Sequence, residues 1–131
     1  MKVSHLETNS RVEFIDITDS IERVVSESQV DSGLCLVYVS HTTAAVTINE
    51  NADPSVPVDI DRKLDDIIPQ SDGYGHLEGN SAAHIKSTLV GCSVIVPIEK
   101  GRLCLGTWQG IFFCEFDGPR RRQFEVKVIS G

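Results

Sequence analysis

The chain has no run of about 18 apolar residues, so no segment reads as a membrane-spanning helix. Its first residues, Met1-Lys2-Val3-Ser4-His5-Leu6-Glu7, lack the apolar stretch of a secretory signal and read as the start of a strand. Positive charge is scarce. Twelve Lys and Arg stand against 19 Asp and Glu, for a formal net charge of −7, and this argues against a nucleic-acid partner, which needs a positive face. No C-x-x-C pair joins the four cysteines, Cys35, Cys92, Cys104 and Cys114. Each sits in an apolar run such as Leu34-Cys35-Leu36-Val37, and the reading is of buried free thiols in a cytoplasmic protein. Internal repeats, low-complexity tracts and linkers are also missing, so residues 1–131 are read as one domain.

What is present is an ordinary apolar content of 40%, enough for a core. Residues 3–8 and 11–17 read as short strands joined at Asn9-Ser10, and a helix follows from Thr18 to Gln29. In that helix Asp19 and Glu22 have capping-box spacing, and Ile21, Val24 and Val25 make one apolar stripe. Leu34 to Ser40 is almost continuously apolar, which predicts a central strand buried on both faces. The next strand puts His41, Thr43, Thr47 and Asn49 on one face by alternation. Asp53-Pro54 opens a second helix with Val56, Ile60, Leu64, Ile67 and Ile68 as its core stripe, ended by Pro69. Residues 70–79 form a polar, glycine-bearing loop, and Asn80-Ser81 caps a third helix reaching Val90. The remainder is β: a hairpin of 92–98 with 103–107, a strand over 109–116, a turn at Asp117-Gly118-Pro119 and a last strand over 123–129. The order ββα-ββ-αα-ββββ favours an α+β fold with a mainly antiparallel sheet and three helices.

Three histidines fall in polar surroundings rather than apolar stripes. His41 opens His41-Thr42-Thr43, His76 opens His76-Leu77-Glu78-Gly79-Asn80, and His84 lies on the first turn of the helix this loop enters. That helix N-terminus offers free backbone N–H groups to an anion, and Gly79 permits close approach. Any one histidine alone is most simply a hydrogen-bonded polar residue. Three facing one cleft would suit acid–base work, or a metal site with open positions for water or substrate. Their spacing matches neither H-E-x-x-H nor a zinc finger. A second cluster, Leu105-Gly106-Thr107-Trp108-Gln109, precedes Glu115, Asp117 and Arg120. Trp108 is either a core anchor or a platform for a planar ring. Arg120, fixed by the preceding proline, suits a two-pronged contact to phosphate. Lys86 and Arg102 are weaker phosphate candidates.

Four segments in order, His41-Thr42-Thr43-Ala44-Ala45-Val46-Thr47-Ile48-Asn49-Glu50-Asn51, His76-Leu77-Glu78-Gly79-Asn80 with Ala83-His84, Leu105-Gly106-Thr107-Trp108-Gln109, and Glu115-Phe116-Asp117-Gly118-Pro119-Arg120, carry a resemblance to a known family. The chain resembles the secondary thiamine-phosphate synthase, or YjbQ-like, family along nearly its whole length. The resemblance implies a three-layer α+β fold, a homotrimer, and a weak activity joining hydroxymethylpyrimidine diphosphate to thiazole phosphate with release of pyrophosphate. Carried onto this chain, it gives His41, His76, His84 and Glu115 as catalytic candidates. Thr43, Asn49, Gly79, Asn80, Thr107, Trp108, Gln109 and Arg120 are the substrate-binding candidates. His41, His76 and His84 are also candidate ligands of a divalent metal, zinc or magnesium, with imidazoles favouring zinc. The expected partner is a small phosphorylated substrate, with no nucleic acid and no membrane. Two alternatives are a metal-dependent hydrolase of a small phosphorylated or heterocyclic metabolite, and a metal- or metabolite-binding protein without turnover.

Overall fold

Alternation along the strands decides which way each side chain faces, and the pairing follows. A computed structural model describes all 131 residues. Its elements are β1 (Lys2–Glu7), β2 (Glu13–Asp16), α1 (Thr18–Ser28), β3 (Gly33–Tyr38), β4 (Ala44–Glu50), α2 (Ser55–Ile67), α3 (Ser81–Val90), β5 (Ser93–Glu99), β6 (Arg102–Leu103), β7 (Gln109–Glu115) and β8 (Arg121–Ser130). Five strands form one sheet in the order β1-β8-β3-β5-β6, and three form a second in the order β2-β7-β4. Every pairing is antiparallel.

The inner faces of the two sheets close on each other. Cys35, Val37, Val96 and Val126 from one sheet meet Ala44, Val46, Ile111 and Phe113 from the other, with Ile21 and Val25 of α1 completing the core. On the far side of the three-stranded sheet, Ala45, Phe112 and Cys114 pack with Ala83 of α3, Leu64 of α2 and Phe116. The layers are thus sheet, sheet and helices, the three-layer α+β arrangement expected. No helix is long and apolar enough to cross a membrane.

Several local expectations need correction. The two short strands expected at the start are present, as Lys2–Glu7 and Glu13–Asp16, but the second is shorter than read and they join different sheets, β1 beside β8 and β2 beside β7. β3 buries one face only. Cys35 and Val37 point into the core, while Leu34 and Tyr38 are each 44% exposed. The apolar run arises because the outer face of this sheet is itself apolar: Val3, Leu34, Tyr38, Ile95 and Ile129 lie exposed on it. α1 is capped from outside the expected box, since Asp16 Oδ1 accepts from the Thr18 N–H and hydroxyl. α2 buries no residue completely, and Ile67 of its proposed stripe is exposed. Cys35 and Cys114 are buried, but Cys92 and Cys104 are exposed, because each lies just outside a strand where alternation no longer turns it inward. All four thiols are free.

Candidate functional site

The site forms where three segments converge. Residues 39–43 carry the chain from one sheet to the other, α3 begins at Ser81, and β8 begins at Arg121. The Val39 N–H donates to the Cys92 carbonyl at 2.8 Å, and the Phe116 N–H donates to the Thr43 carbonyl at 3.2 Å, fixing the crossing segment at both ends. Between these segments lies a cavity of about 450 Å³ lined by Ser40, His41, Thr42, Thr43, His76, Glu78, Asn80, His84, Arg120 and Arg122. None of its lining residues is hydrophobic. Ligand sites are usually lined mostly by apolar groups, so this composition suits a highly polar ligand.

A buried ionic network forms the back wall. Arg122 enters from β8 at the same parity as Phe124 and Val126, and so points inward. Its guanidinium pairs with both oxygens of Glu115 and donates to the Thr43 carbonyl and hydroxyl at 3.2 and 2.9 Å. Glu115, fully buried at the end of β7, also accepts from the Thr8 hydroxyl at 2.8 Å and the Asp117 N–H at 2.9 Å. Burial pushes the Glu115 carboxyl upward, but Arg122, the Asp117 N–H and the Thr8 hydroxyl outweigh it, so the group is held below its ordinary range. Glu115 therefore stands behind the cavity as an anchor for Arg122, with its oxygens already taken by protein donors. A Cβ at Gly118 would run into the Ser10 carbonyl and the Thr8 hydroxyl, so only glycine lets the 117–119 turn close over this network.

Arg122 also sets the imidazole in front of it. The N–H of the next residue, Gln123, donates to His41 Nε2 at 3.1 Å. An imidazole accepting there is neutral and carries its proton on Nδ1. Burial first, and then the nearby Arg122 charge, hold the His41 pKa below 6.5, which keeps the ring in that state near neutral pH. His76 and His84 meet edge to face with ring centroids 5.3 Å apart. Asn80 does not cap α3 with its side chain. Its Nδ2 donates to Asp117 Oδ2 at 2.8 Å, and its buried Oδ1 has no partner. The first-turn N–H groups of α3 are therefore left free of a side-chain cap. Arg120 holds the same Asp117 through Nε and Nη2, using two of its five N–H bonds.

The three histidines thus share one cavity, but no three His, Cys, Asp or Glu side chains are gathered closely enough to hold a metal ion. His41 could ligate through Nε2 only by giving up the Gln123 N–H, or through Nδ1 only by moving its proton to Nε2. A three-imidazole centre does not fit the hydrogen bonding present, and His76 with His84 is the pair that remains.

Of the other expected site residues, Thr43, Asn80 and Arg120 line the same cavity. Gly79, with φ +76°, makes the turn into α3 beside it. Asn49, Thr107, Trp108 and Gln109 do not join them. The register pairs Ala44 with Glu115 at one end of β4 and β7, and Glu50 with Gln109 at the other, about 20 Å away at the usual strand rise.

The same fold is found in known proteins. A family model described as UPF0047 protein YjbQ-like matches residues 2–131. The chain belongs to the YjbQ-like family. The UPF0047 protein MJ1081 of Methanocaldococcus jannaschii is 59% identical over 125 residues, covering 95% of this chain and 91% of the relative. The UPF0047 protein YugU of Bacillus subtilis is 50% identical over 131 residues and 99% of both chains. A crystal structure of a YjbQ/UPF0047 protein from Clostridium acetobutylicum superposes with a TM-score of 0.97 at 51% identity, covering 98% of this chain and all of that one (100%). One from Sulfolobus solfataricus, a YbjQ-like protein of unknown function, gives 0.95 at 34% identity over 99% and 96%.

Within this YjbQ-like chain, Thr8, Ser40, Glu78 and Arg122 belong to the site or its wall and were not singled out from the sequence. Arg122 had a usable signal. Within β8 it shares strand parity with Phe124 and Val126, so it faces the core while Arg121, 91% exposed in its side chain, faces water, and Arg120 precedes the strand. Thr8 had none, because its partner Glu115 lies 107 residues away.

Proposed function

We propose that the polar cavity binds the phosphate groups of a small phosphorylated heterocycle, and that this chain is a weak thiamine-phosphate synthase. The observation that carries this reading is the cavity free of apolar side chains at the uncapped start of α3. In the proposed reaction the C–O bond between the pyrimidine methylene and the diphosphate breaks, and the electron pair leaves on pyrophosphate. The thiazole nitrogen forms the new C–N bond to that methylene. The developing charge on the leaving oxygen is met by the α3 N–H groups, by Arg120 and by the proton on His41 Nδ1. The test uses calorimetry with pyrophosphate and a direct assay of thiamine-phosphate formation. His84→Ala is expected to weaken both by about tenfold or more. Unchanged pyrophosphate affinity and unchanged product formation in that variant would place the chemistry elsewhere.

The 5.3 Å contact of His76 with His84 favours a second reading, a divalent ion held by that pair and used for hydrolysis. Elemental mass spectrometry of protein purified without chelator decides it. About one zinc per chain, lost in His76→Ala, supports the hydrolase reading, and a metal-free protein that resists zinc loading removes it. The exposed apolar face of the five-stranded sheet supports the proposed homotrimer. Light scattering is expected to give three times the chain mass of 14.4 kDa, and a monomer would refute it.

A further inference from the structure

A second cavity adjoins the polar one at two of its histidines, His41 and His84. It encloses about 350 Å³ and shares His41, Thr42 and His84 with the polar one. One face of α3 runs along it. His84, Ser87, Thr88 and Gly91 recur at i, i+3, i+4 and i+7, the spacing that stacks side chains on one helix face. Gly91 follows the helix with φ +103°, and a Cβ built there meets nothing within 4 Å, so the end of the cavity is open space.

The chemistry of its lining differs from that of its neighbour. Ser87 is 7% exposed, and its Oγ has no hydrogen-bond partner. An unmet buried hydroxyl costs free energy that a ligand can return. The Thr88 hydroxyl already donates to the His84 carbonyl at 3.0 Å, which leaves its methyl group for a ligand. Ala44 and the exposed thiol of Cys92 complete the wall. The cavity thus offers small apolar surfaces, a polarisable sulfur and one hydroxyl in want of a partner, with no carboxylate and no Lys or Arg. That set fits an uncharged planar nitrogen ring with one hydrogen-bonding edge, and it does not fit a phosphate.

We propose that this second cavity is the ring subsite of a two-part site, holding the uncharged heterocycle while the polar cavity holds its phosphates. It deepens the phosphate-site reading and rests on it for the direction of the ligand. His41 and His84, common to both cavities, then flank the bond between ring and phosphate. Nothing but Cys92 among the four thiols lies in this cavity, so that thiol reports occupancy directly.

The experiment uses the Cys104→Ser protein, in which Cys92 is the remaining exposed thiol, and follows its alkylation by iodoacetamide with intact-mass spectrometry. The probe is the free hydroxymethylpyrimidine alcohol, which carries no phosphate. At about ten times its dissociation constant it is expected to slow Cys92 alkylation about tenfold. Cys92→Phe, which fills the cavity from an exposed position, is expected to abolish pyrimidine binding while pyrophosphate binding by calorimetry is retained. An alkylation rate unchanged up to the solubility limit of the pyrimidine overturns the ring subsite, whatever pyrophosphate does. So does a Cys92→Phe protein that binds the pyrimidine as tightly as its parent. Protection by the pyrimidine with no pyrophosphate binding overturns instead the phosphate reading of the polar cavity, and the ring site stands.

Discussion

Replacing Arg122 by Met tests whether the back wall is as dry as its geometry implies. The substitution removes a guanidinium whose side chain is 5% exposed, and it leaves Glu115, with 0% exposed, facing an apolar group. Breaking a buried pair from one side costs about 3–5 kcal/mol, because the surviving charge keeps its desolvation penalty without compensation. With about 2.1 cal/mol/K of unfolding entropy per residue, that corresponds to a melting temperature lower by about 11–18 °C for a chain of this length. Glu115→Leu added to Arg122→Met removes the stranded carboxylate and is expected to recover part of the loss, so the two changes couple strongly in a double-variant cycle. The pH dependence supplies a sign. In the parent, Glu115 is held below its ordinary value of 4.5, so its stabilisation is present above that value and is lost as pH falls through the folded pKa. In Arg122→Met the burial that remains favours the neutral acid, so the deficit shrinks on acidification. Thermal melts from pH 7 to 4 measure this directly. A loss below about 1 kcal/mol at pH 7, or a deficit that grows as pH falls, would show that water reaches the pair.

Lys86 gives an asymmetric pair of outcomes. Its side chain is 1% exposed and donates to Asp65 Oδ1 at 2.9 Å, while Asp65 is half exposed and lies 3.9 Å from Arg11. Asp65→Ala strands a buried ammonium and is expected to cost about 3 kcal/mol by chemical denaturation, whereas Lys86→Met leaves only a solvated carboxylate and stays within about 1 kcal/mol of the parent. His41 has a depressed pKa, so its contribution is complete above its ordinary value of 6.5 and falls away as pH drops through the folded pKa. Denaturant melts of His41→Gln should lose that pH-dependent component, and an unchanged profile refutes burial and the Arg122 charge as its source. A thiol-reactive chromophore should titrate two thiols in the native protein, Cys92 and Cys104. Cys35, pushed up to about 11 by burial and then Glu22, and Cys114, pushed up to about 12 by burial, should react only on unfolding.

The legible parts of the fold were those set by local periodicity. Ile21 and Val25, four residues apart, predicted the buried stripe of α1, and both are fully buried. The glycine turn at residues 99–102 predicted the β5–β6 hairpin, which pairs Ile98 with Leu103. Pairing over long distances was not legible. β1 lies against β8, with Lys2 opposite Val126, and nothing in six residues at one end of a chain encodes a register with the other. The β3 run misled for a physical reason. Continuous apolar sequence reports that both faces are apolar, not that both are covered by the same chain. Among site residues, the three histidines were recognisable because a polar, glycine-bearing context removes the core as their explanation. Arg122 was hidden inside a run of three arginines, and its inward position follows only once β8 is known to begin at Arg121.

The second motif cluster shows why motif density should not be equated with one site. The Gln109 N–H donates to the Gly106 carbonyl at 3.0 Å, and Gln109 Oε1 accepts from the Gly106 N–H at 2.8 Å, so glycine and glutamine close this turn on themselves. The Asn51 N–H donates to the Trp108 carbonyl at 3.0 Å, and a Cβ at Gly110 would sit 2.7 Å from Asn51 Nδ2, so that asparagine and that glycine hold the turn against the end of β4. Asn49 Oδ1 accepts from the N–H of Glu50 beside it. Local architecture therefore accounts for Asn49, Gly106 and Gln109 without a ligand. Thr107 and Trp108 are the residues this leaves over, with Trp108 63% exposed at the opposite end of β7 from Glu115. Trp108 is not the core anchor its type suggested, and within one chain it is no platform for a ring held beside His84, because a strand of seven residues lies between them. Within one chain, chemistry at the histidines has to be carried by the two cavities that share them.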